Sequence, residues 1–73
     1  MKLRRLFYLR TENDLLQKHL AEYLGITQQS YARYEVGKAE PSVTTLIRLA
    51  RFYDTSVDYI IGLTDERQPY KRT

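Results

Sequence analysis

The three glycines of the chain, Gly25, Gly37 and Gly62, each follow a stretch in which apolar residues recur with helical spacing. Glycine adopts positive φ without steric cost and therefore commonly ends a helix. The intervals between these end signals are short, and no segment alternates apolar and polar residues as a strand would. The sequence therefore predicts an all-α chain built from several short helices rather than two long ones.

Apolar spacing and capping residues together predict five helices. Asn13 and Asp14 interrupt the first, and Thr27, Ser42 and Ser56 stand where the N-caps of the last three are expected. The fourth helix is the most apolar, so we expect it to be central. The predicted helices cover residues 2–12, 17–24, 28–36, 43–53 and 57–61.

A chain of 73 residues without cysteine can enclose one hydrophobic core and holds no disulfide. Such a core needs regular helix packing or support from another subunit. We expect one domain over residues 1–64 and a flexible tail over residues 65–73, because DERQPYKRT shows no apolar periodicity. The lack of cysteine, and of any apolar run near the roughly 18 residues of a membrane span, predicts a cytoplasmic protein that does not bind a membrane.

The net charge of +3 belongs entirely to the first half of the chain. Residues 1–38 carry seven Lys or Arg and four Asp or Glu, whereas residues 39–73 carry five of each. This asymmetry is compatible with one face that meets a polyanion and equally with an ordinary solvated surface. Charge alone does not choose between the two interpretations.

Residues 17–36 have the spacing of a helix-turn-helix. Ala21 is small enough for the point where two short helices cross, and Gly25 permits the positive φ of a tight turn. Larger side chains would hold the second helix of the pair against the first: Leu20, Leu24, Ile26, Tyr31 and Tyr34. We expect Tyr31 and Tyr34 in the core with hydroxyls that reach water, rather than stacked on bases as in proteins that bind single strands.

If both tyrosines point inward, the outer side of the same helix presents Gln28, Gln29, Ala32 and Arg33. Glutamine can bond adenine through two atoms, and arginine can do the same to guanine. Each of these residues alone is an ordinary surface residue of a helix. Their combination at the start of the second helix of a helix-turn-helix favours a surface that reads bases.

Residues 15–42, LLQKHLAEYLGITQQSYARYEVGKAEPS, resemble the lambda-repressor-like helix-turn-helix family of the XRE type. The family pattern runs Gln, Leu-Ala, Leu-Gly-Ile, Glu, Gly-Lys and Pro-Ser, and the resemblance extends over about residues 3–63. It implies a compact five-helix bundle of the lambda-repressor-like DNA-binding type, whose third helix enters the major groove of double-stranded DNA. The implied function is sequence-specific transcriptional regulation, as a repressor at a palindromic operator.

The resemblance also implies seven DNA-binding positions. Three of them read bases: Gln28, Gln29 and Arg33. Four of them meet the phosphate backbone: Gln17, Thr27, Ser30 and Lys38. Arg10 and Glu35 are implied to form a structural pair, which removes Arg10 from the charge available to DNA. Leu16 stands where the family usually has Ser or Thr, so we expect the second helix to lack its usual N-cap bond.

The sequence offers no catalytic or metal site and implies no cofactor. It lacks cysteine, a glycine-rich phosphate loop and acidic pairs at metal-ligand spacing. Its one histidine, His19, is expected on the exposed side of the second helix, solvated or beside a phosphate. An alternative function is that of an antitoxin, since antitoxins of this fold bind a toxin protein and repress their own operon. Such contacts would use Tyr59, Leu63 or the tail.

The fifth helix carries more apolar residues than one face can bury, which predicts a homodimer. We expect Tyr59, Ile60 and Leu63 at its interface. A dimer would bind two half-sites about one helical turn apart, roughly 34–36 Å.

Overall fold

The computed structural model describes residues 3–69, and this part of the chain contains five helices and no strand. The helices are α1 (Arg4–Glu12), α2 (Gln17–Leu24), α3 (Gln28–Val36), α4 (Val43–Phe52) and α5 (Val57–Ile60). The predicted all-α class is confirmed, and the helix bounds agree with the prediction to within two residues. The predicted start of the first helix at residue 2 lies outside the described residues.

Three helices begin at hydroxyl caps, as expected. Thr27 accepts a hydrogen bond from the Ser30 N–H at 3.1 Å, and Ser42 accepts one from the Thr45 N–H at 3.1 Å. Ser56 caps α5 in the same way, through the Tyr59 N–H at 3.0 Å. Each bond satisfies one of the backbone donors that a helix start leaves without an intrahelical partner.

The helix ends also follow the sequence signals. Gly25 and Gly37 end α2 and α3 in the left-handed conformation, with φ of 73° and 80°. Asn13 ends α1, and the next residue, Asp14, has φ of 55°. These positive-φ residues turn the chain sharply and allow short helices to pack against one another.

The core collects side chains from all five helices and from the residue that precedes α1. Its largest fully buried member is Tyr31 of α3. α3 packs against α2 and α1, and α1 also packs against α5. The buried hydrophobic residues are Leu3, Leu6, Leu9, Leu20, Ala21, Leu24, Tyr31, Leu49, Ala50 and Ile60.

The prediction that the fourth helix is central is wrong. Only Leu49 and Ala50 of α4 are fully buried, while Val43 and Ile47 are exposed. α4 packs mainly against α5 and covers one side of the bundle. Apolar content measures how much surface a helix is able to bury, whereas its position depends on how many neighbours surround it.

Residues 65–69 form neither helix nor strand, yet they contact the bundle. The Arg67 side chain pairs with Glu12 of α1, and the Thr55 hydroxyl donates to the Arg67 carbonyl at 2.6 Å. Asp65 accepts a hydrogen bond from Arg5 at 2.6 Å. The domain boundary at residue 64 and the flexible tail stay predictions, and residues 70–73 lie outside the described residues.

Within residues 3–69, no helix is both long and apolar enough to cross a bilayer.

Candidate nucleic-acid interface

The helix-turn-helix is formed by α2, α3 and the turn at Gly25. Leu20 and Ala21 are buried between the helices, and the small Ala21 side chain permits their close crossing. The Ile26 N–H donates to the Ala21 carbonyl at 3.0 Å, which closes the end of α2 and directs the chain into α3. The turn has the geometry that the sequence predicts.

α3 has one anchored side and one bare side. Tyr31 and Glu35 point inward, with exposed fractions of 0% and 6%. Gln28, Gln29 and Arg33 are exposed on the opposite side, and none of their side chains hydrogen-bonds to another residue within 3–69. The predicted base-reading residues therefore share one accessible face, with their donors and acceptors available to a ligand.

The inward side is joined to α1 by the pair that the resemblance implies. Arg10 donates to Glu35 twice, from Nε to Oε2 at 2.7 Å and from the guanidinium NH2 to Oε1 at 3.0 Å. A third donor of Arg10 bonds the Leu15 carbonyl at 3.0 Å. This two-point contact fixes both the position and the rotation of α3 relative to α1.

Burial and pairing act in opposite directions on Glu35. Burial alone would raise the pKa of its carboxyl, but the hydrogen bonds and charge of Arg10 outweigh it and hold the pKa below the ordinary value. The bond to Glu35 raises the pKa of Arg10 in turn. Both groups therefore remain charged, and the pair as a whole is neutral.

The prediction that the Tyr31 hydroxyl reaches water is wrong. It is sealed in the core, and burial, aided by the negative charge of Glu35, raises the pKa of Tyr31. The Tyr53 hydroxyl is also buried, and burial raises its pKa as well. Tyr34 is partly buried, and its ring meets the Tyr31 ring edge-on at 6.3 Å between centroids.

Gln17, the expected phosphate contact, lies at the first position of α2 beside this pair. Its Nε2 donates to Glu35 Oε1 at 3.4 Å, and the side chain is partly buried. One amide hydrogen is therefore directed at Glu35, and a second remains for another acceptor.

Residues 6–60 match the model of a family described as helix-turn-helix. The chain belongs to the lambda-repressor-like, XRE-type helix-turn-helix family. It is 46% identical over 94% of its length to the HTH-type transcriptional regulator YobD of Bacillus subtilis, and covers 62% of that protein. It is 34% identical over 74% of its length to the phage CTXphi transcriptional repressor RstR of Vibrio cholerae, and covers 49% of it.

A solved structure agrees with this assignment. The chain matches the crystal structure of a transcriptional regulator from Listeria innocua with a TM-score of 0.81 and 31% sequence identity, over 88% of this chain and 60% of the other. The chain thus spans about half to three fifths of the length of these three proteins. The family and the named relatives are transcriptional regulators and not enzymes.

Thr27 and Ser30, both expected to contact phosphate, also form the N-cap of α3. Thr27 accepts from the Ser30 N–H, and its hydroxyl donates to Ser30 Oγ at 2.9 Å. The single hydrogen of the Thr27 hydroxyl is therefore used within the cap. The Ser30 hydroxyl hydrogen remains available, so of the two residues Ser30 is better suited to donate to a phosphate.

Lys38 follows Gly37 at the end of α3. Its backbone N–H donates to the Arg33 carbonyl at 2.9 Å, and its side chain is exposed. The chain therefore holds this lysine just beyond the last turn of the helix-turn-helix.

The expected dimer residues occupy three different environments. Ile60 is 2% exposed and belongs to the core, so it is not available to a partner subunit, and its assignment to the interface is wrong. Tyr59 is partly buried beneath the Arg5 guanidinium, which lies 4.3 Å from its ring centroid. Leu63 is 74% exposed. Leu63 lies beyond the end of α5 and after Gly62, which has a φ of 87°, so helical spacing from Ile60 does not give its direction.

Sequence reasoning missed the capping role of His19. The side chain is exposed as expected, but its Nδ1 accepts a hydrogen bond from the Leu16 N–H at 2.9 Å. Leu16 itself provides no side-chain cap, in agreement with the departure seen in the sequence. The spacing of residues 16 and 19, from N-cap to third helical position, was the signal that could have revealed this bond.

Sequence reasoning also missed a clamp at the end of α2. Arg48 of α4 donates to the Tyr23 carbonyl at 2.6 Å and the Leu24 carbonyl at 3.3 Å. The Tyr23 hydroxyl donates back to the Arg48 carbonyl at 2.9 Å. These bonds satisfy carbonyls that the helix end leaves without partners and fix α2 against α4. No local signal links residues so far apart in the chain.

Proposed function

We propose that this chain is the sequence-specific DNA-binding domain of a transcriptional regulator, and that it acts as a repressor. The observation that carries the proposal is the division of α3 into an anchored side and a bare side. The name of the related protein RstR, a transcriptional repressor, supports repression as the sign of the regulation.

The bare face suits the major groove of B-DNA. That groove is about 12 Å wide and admits an α-helix, and each base pair presents there a distinct set of donors and acceptors. Gln28 and Gln29 are suited to adenine, and Arg33 is suited to guanine. Ala32, between Tyr31 and Arg33, has a small side chain that lets the helix come close to the base pairs.

The surrounding polar groups suit the phosphate backbone. Gln17 has an amide hydrogen to donate, Ser30 has a hydroxyl, and Lys38 has an exposed ammonium group. Thr27 supports Ser30 through the cap rather than by a contact of its own. Phosphate contacts of this kind fix orientation on the duplex, whereas base contacts supply specificity.

We also propose that the regulator binds a palindromic operator as a homodimer, with Leu63 at the interface and Tyr59 at its edge. One recognition helix seldom gives sufficient specificity, and Leu63 is an exposed apolar side chain beside α5. Sedimentation in the presence of operator DNA measures the stoichiometry. We expect two chains per operator, and a single chain on every bound duplex would contradict the dimer.

Selection from a random duplex pool tests the function itself. The protein is expected to enrich one sequence family whose members bind at least about 10³-fold more tightly than a scrambled duplex at the same salt concentration. Equal affinity for selected and scrambled duplexes would contradict sequence-specific binding. The wild-type chain suffices for this experiment, and the selected duplex then serves as the probe for every variant below.

A further inference from the structure

We propose that a groove beside Gln17 is a further phosphate-binding subsite of the DNA interface, with Arg4 as its cationic residue. The inference rests on the proposed function, because the phosphate is that of the DNA backbone. The groove has a volume of about 370 Å³ and lies between α1, the start of α2 and the end of α3. Six of the residues that line it carry the argument: Arg4, Phe7, Tyr8, Arg10, Gln17 and Glu35.

The three arginines of α1 are used differently. Arg10 is held by Glu35, and Arg5 lies over the Tyr59 ring and donates to the Tyr59 carbonyl at 2.8 Å and to the Thr64 carbonyl. Arg4 is exposed and forms no ion pair or hydrogen bond through its side chain within residues 3–69. Of the three, Arg4 alone has its guanidinium available to a ligand at the groove.

The position of Arg4 is unfavourable for the helix itself. It is the first residue of α1, where the helix dipole favours negative charge, and the first turn contains no acidic residue. Arg5 in the same turn is compensated by its bonds to the segment after α5. Arg4 has no such compensation in the described chain, so a bound anion would remove an electrostatic conflict that folding leaves in place.

The charges that line the groove also favour an anion. Glu35 supplies its one carboxylate, and the two-point bond to Arg10 neutralises that carboxylate. The net charge of the lining is therefore +1, contributed by Arg4. Gln17 adds a second donor, since only one of its amide hydrogens is directed at Glu35. A phosphate can accept from both groups without meeting an unpaired negative charge.

A second cavity shows the opposite character. It has a volume of about 120 Å³ and is lined by Leu3, Glu40, Pro41, Leu46 and Ile61. Its lining contains an acidic residue and no basic one, so it does not suit an anion. Of these two cavities, the groove beside Gln17 is the one whose lining suits a phosphate.

Aromatic side chains form the outer part of the groove. Phe7 and Tyr8 are both exposed, and their rings meet edge-on at 5.6 Å between centroids. A deoxyribose attached to the bound phosphate offers an apolar surface that these rings can contact. The groove therefore fits a sugar-phosphate segment of a DNA strand, with Arg4 and Gln17 both donating to its phosphate.

The salt dependence of binding tests the subsite. We expect Arg4→Gln to reduce the slope of log affinity against log salt concentration by about 0.9 on both the selected operator and a scrambled duplex. Arg51→Gln makes the same charge change at an exposed residue of α4 that does not line the groove, so its slope should equal that of the wild type. Arg4→Lys keeps the charge and should keep the slope.

Two results would overturn the subsite: an unchanged slope in Arg4→Gln, or an equal fall in slope in Arg51→Gln. An unchanged melting temperature in each variant confirms that folding is not the cause. If wild-type protein fails to prefer the operator, the proposed function fails. If it prefers the operator while Arg4→Gln keeps the full slope, only the subsite fails.

Discussion

The two sides of α3 differ sharply in burial and in hydrogen bonding. The inner side is closed: Tyr31 is fully buried and Glu35 is bound by Arg10 at two points. The outer side is open, and within the described chain the side chains of Gln28, Gln29 and Arg33 have no polar partner. One helix of nine residues therefore carries both a buried anchor and a row of side chains whose donors and acceptors have no partner within residues 3–69.

This difference explains how such a short helix can present side chains to a ligand in a fixed arrangement. A nine-residue helix is marginal in isolation, and ordering it during binding would oppose affinity. Because packing and the ion pair hold α3 in place beforehand, the outer residues lose only their own side-chain freedom on binding. Variants on the inner side should therefore affect folding first, and variants on the outer side should affect binding alone.

The largest effect is expected from Tyr31→Ala. Removing this fully buried ring leaves a cavity in the centre of the core, at a cost of about 3–5 kcal/mol in the free energy of unfolding. Gln29→Ala, on the outer side of the same helix, should change that free energy by less than about 0.5 kcal/mol. Urea denaturation of both variants measures the difference, and similar losses in the two would contradict the division of α3.

The next largest effect is expected from Glu35→Ala, which leaves Arg10 buried without its partner. We expect a loss of about 2–4 kcal/mol, somewhat less than for a fully buried pair, because the Arg10 side chain keeps 11% exposure. Glu12→Ala provides the control, since its pair with Arg67 is about half exposed and should contribute little to stability. Denaturation curves that lose equal stability in both variants would remove the anchoring role of Glu35.

Lowering the pH should weaken the ion pair on the inner side of α3 and reduce the free energy of unfolding. Although burial opposes it, pairing with Arg10 holds the pKa of Glu35 below its ordinary value in the folded state. The carboxylate therefore adds stability above the unfolded pKa of about 4.3, and this contribution is lost as the pH falls towards the folded pKa. Below about pH 4.3 the unfolding free energy of the wild type should fall more steeply than that of Glu35→Gln. Parallel pH profiles would show that Glu35 is not the linked group.

Local signals in the sequence predicted the framework well. The hydroxyl caps at Thr27, Ser42 and Ser56 and the glycine ends at Gly25 and Gly37 act within one turn of the chain, so their positions fix the helix bounds. The outward row on α3 followed from the same logic, because a helix fixes which residues share a face.

Features that depend on distant contacts were not predictable in this way. The burial of the Tyr31 hydroxyl depends on how α1 closes over α3, and the Arg48 clamp joins residues 25 positions apart. Ile60 and Leu63 are both apolar, and only the packing of α5 shows that the first is buried and the second is exposed. Arg4 and Arg5 are neighbours of the same type, and only the fold distinguishes the bound residue from the exposed one.

The most direct test of the account compares Arg33→Ala with Lys38→Ala on the selected operator, its single-base variants and a scrambled duplex. Arg33→Ala should cost about 1–3 kcal/mol on the operator, little on the scrambled duplex, and should relax the preference at one base pair. Lys38→Ala should weaken binding to every duplex alike and reduce the salt slope by about one. If Arg33→Ala instead loses the same factor on operator and scrambled DNA, the outer face of α3 does not read bases and the central claim is wrong.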